Sequence, residues 1–322
     1  MNRRGIELAL EELASRTVRG QPRIRVLFRD DAGDGMRAAA VAEEFVSRPE
    51  VSAVIGHVNS GAMVAAARVY DGHLSAVATT ASTPALTGIS PWTFRVISSD
   101  SMNGLAIARF AMRRGWRRAA ILYENNPYGR GLADNFRRSF AGQIISIDPI
   151  AEGSEQNFEP YVSWYKREQP DMIFYAGTDQ SGLAFLKEAR RQGLAADLVG
   201  GDGWQTLAPS PLAEGIYVGA PFSAQDPRPE VQAFVAAYRK MFNAVPDGNA
   251  ALAYDATKLL ADAVQRVGAD RTKIRDYLAE AAAIGYHGVT GTIRFGTDGD
   301  PVGKGFVMTR VHAGVLQVEA SQ

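Results

Sequence analysis

The chain has 322 residues, enough for two domains at roughly 150 residues each, and its 35 basic residues balance its 35 acidic ones. With 46% apolar residues and no excess charge, nothing draws it to nucleic acid or an anionic membrane, so a partner must be recognised locally. The absence of cysteine excludes thiol nucleophiles, thiolate metal sites and disulfides, and His57, His73, His287 and His312 lack the spacing of a metal site.

No apolar run approaches the roughly 18 residues of a membrane span. Met1–Arg4 leads straight into the amphipathic segment Gly5–Ser15, which is not the pattern of a signal peptide. From Gly5 to Thr17, apolar residues fall at helical spacing until Gly20-Gln21-Pro22 breaks the pattern. A strand is expected at Ile24–Arg29, a helix at Met36–Ser47 and a buried strand at Val51–Gly56. The alternation continues with helix Ser60–Asp71, strand Ser75–Thr79, helix Asn103–Arg114, strand Arg118–Tyr123, helix Gly129–Ala141 and strand Ile144–Ile147. Helix Phe158–Glu168, strand Met172–Ala176, helix Gln180–Gln192 and strands Leu198–Gly201 and Ile216–Gly219 follow. Strands separated by helices of about 10–15 residues imply parallel sheets with right-handed crossovers, so the class is doubly wound α/β.

After Pro221 three helices come in succession, Pro229–Phe242, Ala250–Val267 and Lys273–Ala283, before strands return at Gly291–Phe295, Gly305–His312 and Val315–Val318. Two βα blocks of similar rhythm, Ile24–Ile97 and Ala106–Gly219, suggest two similar lobes with a cleft between them. The stretch Val54–Leu86 reads as strand, hydroxyl-bearing turn, helix, strand and a second hydroxyl-bearing turn. Such turns at the exits of consecutive strands can aim hydroxyls and free N–H groups into one crevice.

The run VIGHVNSGAMVAAARVYDGHLSAVATTASTPALT, followed by FRVISSDSMNG, AAILYENNPYGRGLA, GGDGW and ALAYDATKLLADAV, resembles the periplasmic leucine/isoleucine/valine-binding proteins. These are type I solute receptors of amino-acid ABC importers, and the likeness runs through essentially the whole chain. It implies two Rossmann-like lobes, 1–99 with 226–298 and 100–225 with 299–322, joined by crossovers near Ser98–Asp100, Phe222–Asp226 and Phe295–Gly303. It further implies a periplasmic monomer with no cofactor, which hands an amino acid or analogue to permease subunits.

Carried over position by position, the resemblance puts Ser60 on the ligand carboxylate and the Thr80 carbonyl on the ammonium. Ser82 would contact both groups, and Asp202 would stand at the ammonium-binding acid. Tyr128, Thr178 and Trp204 join them as candidate pocket residues. The logic also stands on chemistry, because a zwitterion needs donors on one side and a carboxylate on the other. Plainer readings stay open: Ser60 and Ser82 as helix caps, Asp202 as a turn residue, Tyr128 as a surface aromatic, Trp204 as core.

Three departures mark this chain. Gly33 and Asn59 occupy positions where the branched-chain receptors often carry a disulfide. Thr178 replaces a frequent tyrosine, Asn249 lies near an aromatic wall position and Asp202 is shorter than the usual glutamate, so a reshaped, more polar pocket is expected. Finally, the sequence begins within the family's first helix, and the strand that would lie between Ile24–Arg29 and Val51–Gly56 is expected to be missing. A ligand-sensing module on the same fold is the competing function. An enzyme is disfavoured by the lack of a nucleophile elbow, a Walker A loop and an intact dinucleotide fingerprint.

Overall fold

The computed structural model describes residues 2–16, 23–153, 157–280 and 285–319. The chain divides into two units, Met1–Ser99 with Asp226–Lys304 and Asp100–Gln225 with Gly305–Gln322. Residues 299–304, expected with the second lobe, thus group with the first. They are held there by hydrogen bonds from Arg95 N–H to Gly299 O, from Thr87 Oγ1 to Asp300 Oδ2 and from Lys304 Nζ to Val96 O.

The first unit opens with helices α1 (Asn2–Arg16) and α2 (Gly35–Ser47), strand β1 (Ala53–Ile55), helix α3 (Ser60–Tyr70), and strands β2 (Ser75–Ala78) and β3 (Thr93–Arg95). The strands form a parallel sheet in the order β1-β2-β3. All four residues of β2 are buried, as its unbroken small apolar run requires of a central strand. Ala38, Ala42 and Phe45 of α2 and Ala62, Met63, Ala66, Ala67 and Tyr70 of α3 pack into one core with Val54, Ala76 and Ala78. Asp34 caps α2 by accepting from Arg37 N–H, so the helix begins where the sequence supplies an acceptor.

The strand expected at Ile24–Arg29 is not formed. Ile24, Val26 and Phe28 are half-buried and alternate with exposed Arg25, Leu27 and Arg29, so the two-residue period is kept. What is lacking is a ladder: among the described residues β1 pairs with β2 alone, and no strand lies beside 24–29. Period alone does not make a strand without a hydrogen-bonded neighbour. The Gly20-Gln21-Pro22 break and the ends of the first and tenth helices, at Thr17 and Ala283, lie outside the described residues.

The second unit runs α4 (Asp100–Arg113), β4 (Arg118–Glu124), α5 (Pro127–Ser139), β5 (Gln143–Ile150), α6 (Glu159–Glu168), β6 (Met172–Ala176), α7 (Asp179–Gln192), β7 (Asp197–Gly200) and β8 (Tyr217–Ala220). The chain then returns to the first unit with α8 (Pro229–Phe242), α9 (Gly248–Val267), α10 (Arg271–Glu280) and the hairpin β9 (Tyr286–Gly288) and β10 (Gly291–Ile293). Glu12 of α1 ties that helix to α9 by accepting from Tyr254 Oη at 2.7 Å and Lys258 Nζ at 2.9 Å. Strands β11 (Val307–His312) and β12 (Val315–Val318) close the second unit.

Its seven strands lie in the order β12-β11-β8-β7-β6-β4-β5, with β4 to β8 parallel and β11 antiparallel to both neighbours. Side chains alternate between two cores, as a pleated strand demands. Ala120, Leu122, Ile173 and Tyr175 pack with α6 and α7, while Ala119, Ile121, Met172 and Phe174 pack with α4 and α5. Helices on both faces of a parallel sheet make this unit doubly wound, as the alternation predicts. Three-residue β3 and β9, and the 3-10 turns Pro84–Leu86, Asp202–Leu207 and Pro211–Ala213, are too short to carry a period, and sequence reading missed them.

Candidate functional site

In the first unit the exits of β1 and β2 are sewn together by the hydroxyl residues of Val54–Leu86. Thr80 Oγ1 donates to Val58 O at 2.9 Å, and Ser60 Oγ accepts from Thr83 N–H at 3.3 Å. Ser60 is buried in the first turn of α3, whose cap residue Asn59 makes no side-chain capping bond. The first N–H groups of that helix therefore have no side-chain cap. At the next turn the capping oxygen belongs to Thr83, whose Oγ1 accepts from Ala85 N–H.

Arg95, which sequence reading passed over, fixes the second of these turns. It is 1% exposed, and its Nη1 donates to Ser82 O at 2.9 Å and Thr83 O at 2.8 Å. Its Nη2 donates to Thr87 Oγ1 at 2.8 Å and to Asp300 Oδ2 at 2.5 Å. The available signal was a lone arginine inside the apolar run Phe94–Ile97. On the other side of Ser60, buried His57 bonds Asp31 Oδ2 through Nδ1 at 2.5 Å and Tyr70 Oη through Nε2 at 3.0 Å. That bond holds the Asp31 carboxyl below its ordinary range. Gly33 and Asn59 are neighbours, as the inferred disulfide positions require: a Cβ built on Gly33 would lie 3.4 Å from Asn59 Cγ.

In the second unit Asp202 begins the 3-10 turn after β7, and its Oδ1 accepts from Tyr128 Oη at 2.9 Å. The same phenol oxygen accepts from Gly203 N–H at 3.1 Å. Asp202 is 6% exposed, and burial pushes its carboxyl up to about 6 against the opposing pull of Tyr128 and the backbone N–H groups of 202 and 203. Tyr128 is driven well above its ordinary range by burial first and then by the charges of Asp202 and Asp100. Residue 203 must be glycine, since a Cβ there would stand 2.7 Å from Gly177 O, 3.1 Å from Tyr128 Oη and 3.3 Å from Thr178 Cα. The loops leaving β6 and β7 touch at this point, which brings Thr178 beside Tyr128 and Asp202.

Thr178 precedes α7 without capping it, and its hydroxyl instead donates to Glu124 Oε1 at 2.7 Å. Glu124, the wholly buried last residue of β4, also accepts from Ser181 Oγ at 2.5 Å and Asn126 Nδ2 at 3.0 Å. Sequence reading missed it, although an acid ending the apolar strand AAILYE was a visible anomaly. Trp204, open in the sequence between pocket wall and core, packs in the core of this unit. It is 0% exposed, lies against Tyr175 with ring centroids 5.0 Å apart, and covers Gly200, where a Cβ would meet its ring at 2.4 Å.

The first unit thus offers hydroxyls and helix-start N–H groups, and the second offers a buried carboxylate. Among the described residues no lysine or arginine forms an ion pair with Asp202 or Glu124, and no group of three or more His, Cys, Asp or Glu is placed to hold a metal. Each unit thus carries its own polar cluster at strand exits, the arrangement in which α/β proteins hold small polar molecules.

The chain belongs to the periplasmic binding protein family, whose model matches residues 1–314, and it is similar to the leucine/isoleucine/valine-binding proteins. The Leu/Ile/Val-binding protein homolog 2 of Brucella abortus (strain 2308) is 26% identical over 317 residues, covering 95% of this chain and 84% of that protein. The leucine-, isoleucine-, valine-, threonine-, and alanine-binding protein of Pseudomonas aeruginosa is 26% identical over 330 residues, covering 99% and 87%. Among solved structures, the substrate binding protein LivJ of Streptococcus pneumoniae in complex with isoleucine matches at a TM-score of 0.90 and 28% identity, covering 98% of this chain and 92% of its own. The fold is that of the type I periplasmic binding proteins, and the family is one of substrate-binding proteins rather than enzymes.

Proposed function

We propose that this protein is a periplasmic solute receptor that captures a small α-amino acid or close analogue and delivers it to the permease of an ABC importer as a monomer. The ligand carboxylate is held by Ser60, Ser82 and the start of α3, and its ammonium by Asp202 with the Thr80 carbonyl. Tyr128 orients Asp202, and Thr178 faces the ligand side chain. The observation that carries this reading is Asp202 itself. A carboxylate this buried, oriented by a phenol and lacking a cationic partner, is costly unless a cation arrives. The family relationship supports a receptor role, and the isoleucine bound to LivJ supports an amino-acid head group.

Titration calorimetry of the purified protein against the proteinogenic amino acids tests it. Binding of at least one zwitterionic amino acid, with its N-acetyl derivative failing to bind, is expected. Binding of a simple carboxylate or amide with no response to any amino acid would overturn the assignment of Asp202 to the ammonium.

A further inference from the structure

The proton inventory around Glu124 limits what the second unit can accept. A carboxylate only accepts hydrogen bonds, so the hydroxyls of Thr178 and Ser181 and the Asn126 amide all donate to it. Thr178 carries one hydroxyl proton, and that proton is spent on Glu124. Its two lone pairs can only accept.

The two oxygens are not equally placed. Glu124 is wholly buried, whereas Thr178 is partly exposed and its Cα lies beside Gly203 and the Tyr128–Asp202 bond. Asp202 Oδ1 is taken by Tyr128, and among the described residues no side chain donates to its Oδ2. On the receptor reading the polar atoms that meet the ligand here are Asp202 Oδ2 and Thr178 Oγ1, and both are acceptors. Had residue 124 been a lysine or glutamine donor, the same threonine would offer its proton outward.

Resting on the receptor reading above, we infer that Glu124 is a specificity-determining positioning residue that fixes Thr178 as an acceptor, so the preferred ligand is an amino acid whose side chain carries an O–H or N–H donor. An aliphatic side chain of the same shape leaves the Thr178 lone pair unpaired and desolvated, and a site built to bond a ligand hydroxyl rejects the analogue without one.

Isosteric pairs read this directly: threonine against valine, and asparagine against leucine. In the wild-type protein calorimetry is expected to give at least one pair in which the donor-bearing member binds about 10-fold or more tightly. Thr178→Val should reduce that ratio to about 1 or invert it. Glu124→Gln, which keeps the volume and can turn an amide donor toward Thr178 where the carboxylate only accepts, should lower the ratio at least about 3-fold. A purely structural role would weaken both members of a pair alike and leave the ratio unchanged, and circular dichroism of each variant verifies its fold. Equal or tighter binding of the aliphatic member in both pairs, or a ratio untouched by Thr178→Val, would overturn the inference while leaving the receptor reading intact. Failure of every amino acid to bind would overturn both.

Discussion

Tyr128 donates its hydroxyl proton to Asp202 Oδ1 at 2.9 Å while its oxygen accepts the Gly203 N–H at 3.1 Å. One phenol therefore couples the start of α5 to the turn after β7 and fixes the rotation of the carboxylate. The consequence is an acid oriented before any ligand arrives, so binding does not have to order it.

Replacing Asp202 by alanine removes the partner of the ligand ammonium. Truncating one member of a buried charged pair typically costs about 2–5 kcal/mol, so affinity should fall roughly 30- to 5,000-fold by calorimetry. The fold should survive, because among the described residues Tyr128 is the one side chain that bonds this carboxylate.

The pH dependence follows from the same residue. Burial raises the Asp202 carboxyl from 3.8 to about 6, so the folded chain holds this proton more tightly than the unfolded one. Its contribution to stability is therefore present below pH 4 and lost as pH rises through about 6, a penalty of roughly 3 kcal/mol at neutral pH by order of magnitude. Binding an ammonium requires the ionised form and runs the opposite way: affinity should drop about tenfold per pH unit below about pH 6 and level off above it. Calorimetry from pH 4.5 to 8 measures the slope, and a flat profile would contradict the assignment. Thermal melting of Asp202→Asn at pH 7.5 should show a midpoint equal to or above that of the wild type.

Tyr128→Phe keeps the ring in its core and deletes the hydroxyl. Asp202 loses the bond that most opposes its desolvation, and Gly203 N–H loses its acceptor. Hydrogen bonds to charged groups contribute about 1.5–3 kcal/mol, so affinity at pH 7 should weaken roughly 10- to 150-fold. The midpoint of the pH profile should also move upward. Weaker binding with an unshifted midpoint would mean that the phenol touches the ligand and does not tune the acid.

How much of this was legible in the sequence depends on what each residue reports locally. The second unit's sheet was readable because Arg118–Tyr123 and Met172–Ala176 are apolar runs between long amphipathic helices, and period and burial agree. Ile24–Arg29 has a strand's period but no ladder, and pairing is not a local property. Ser60, Thr80, Ser82, Tyr128, Thr178 and Asp202 were marked by type and by the family pattern. Arg95 and Glu124 were missed because each acts through partners far away in sequence: Asp300 for the arginine, Thr178 and Ser181 for the glutamate. Trp204 was ambiguous for a physical reason, since an indole serves a core and a pocket wall equally well until its neighbours are known.

Arg95→Met separates architecture from ligand contact. The arginine is buried, and its guanidinium joins Ser82 O, Thr83 O, Thr87 Oγ1 and Asp300 Oδ2, so one side chain braces the hydroxyl turn against the segment at 298–300. Methionine fills most of the volume but makes none of these bonds, leaving Asp300 without its cation and two carbonyls without donors. Breaking a buried pair from one side costs about 3–5 kcal/mol, a large part of a typical domain's total stability. The expected result in urea or thermal denaturation is a clear loss of stability in the first unit. Residual folded protein should also bind ligand weakly, because Ser82 is no longer held in place. Asp202→Ala should show the converse pattern, binding lost and stability kept. If Arg95→Met melted like the wild type, the four hydrogen bonds would not be what holds this turn.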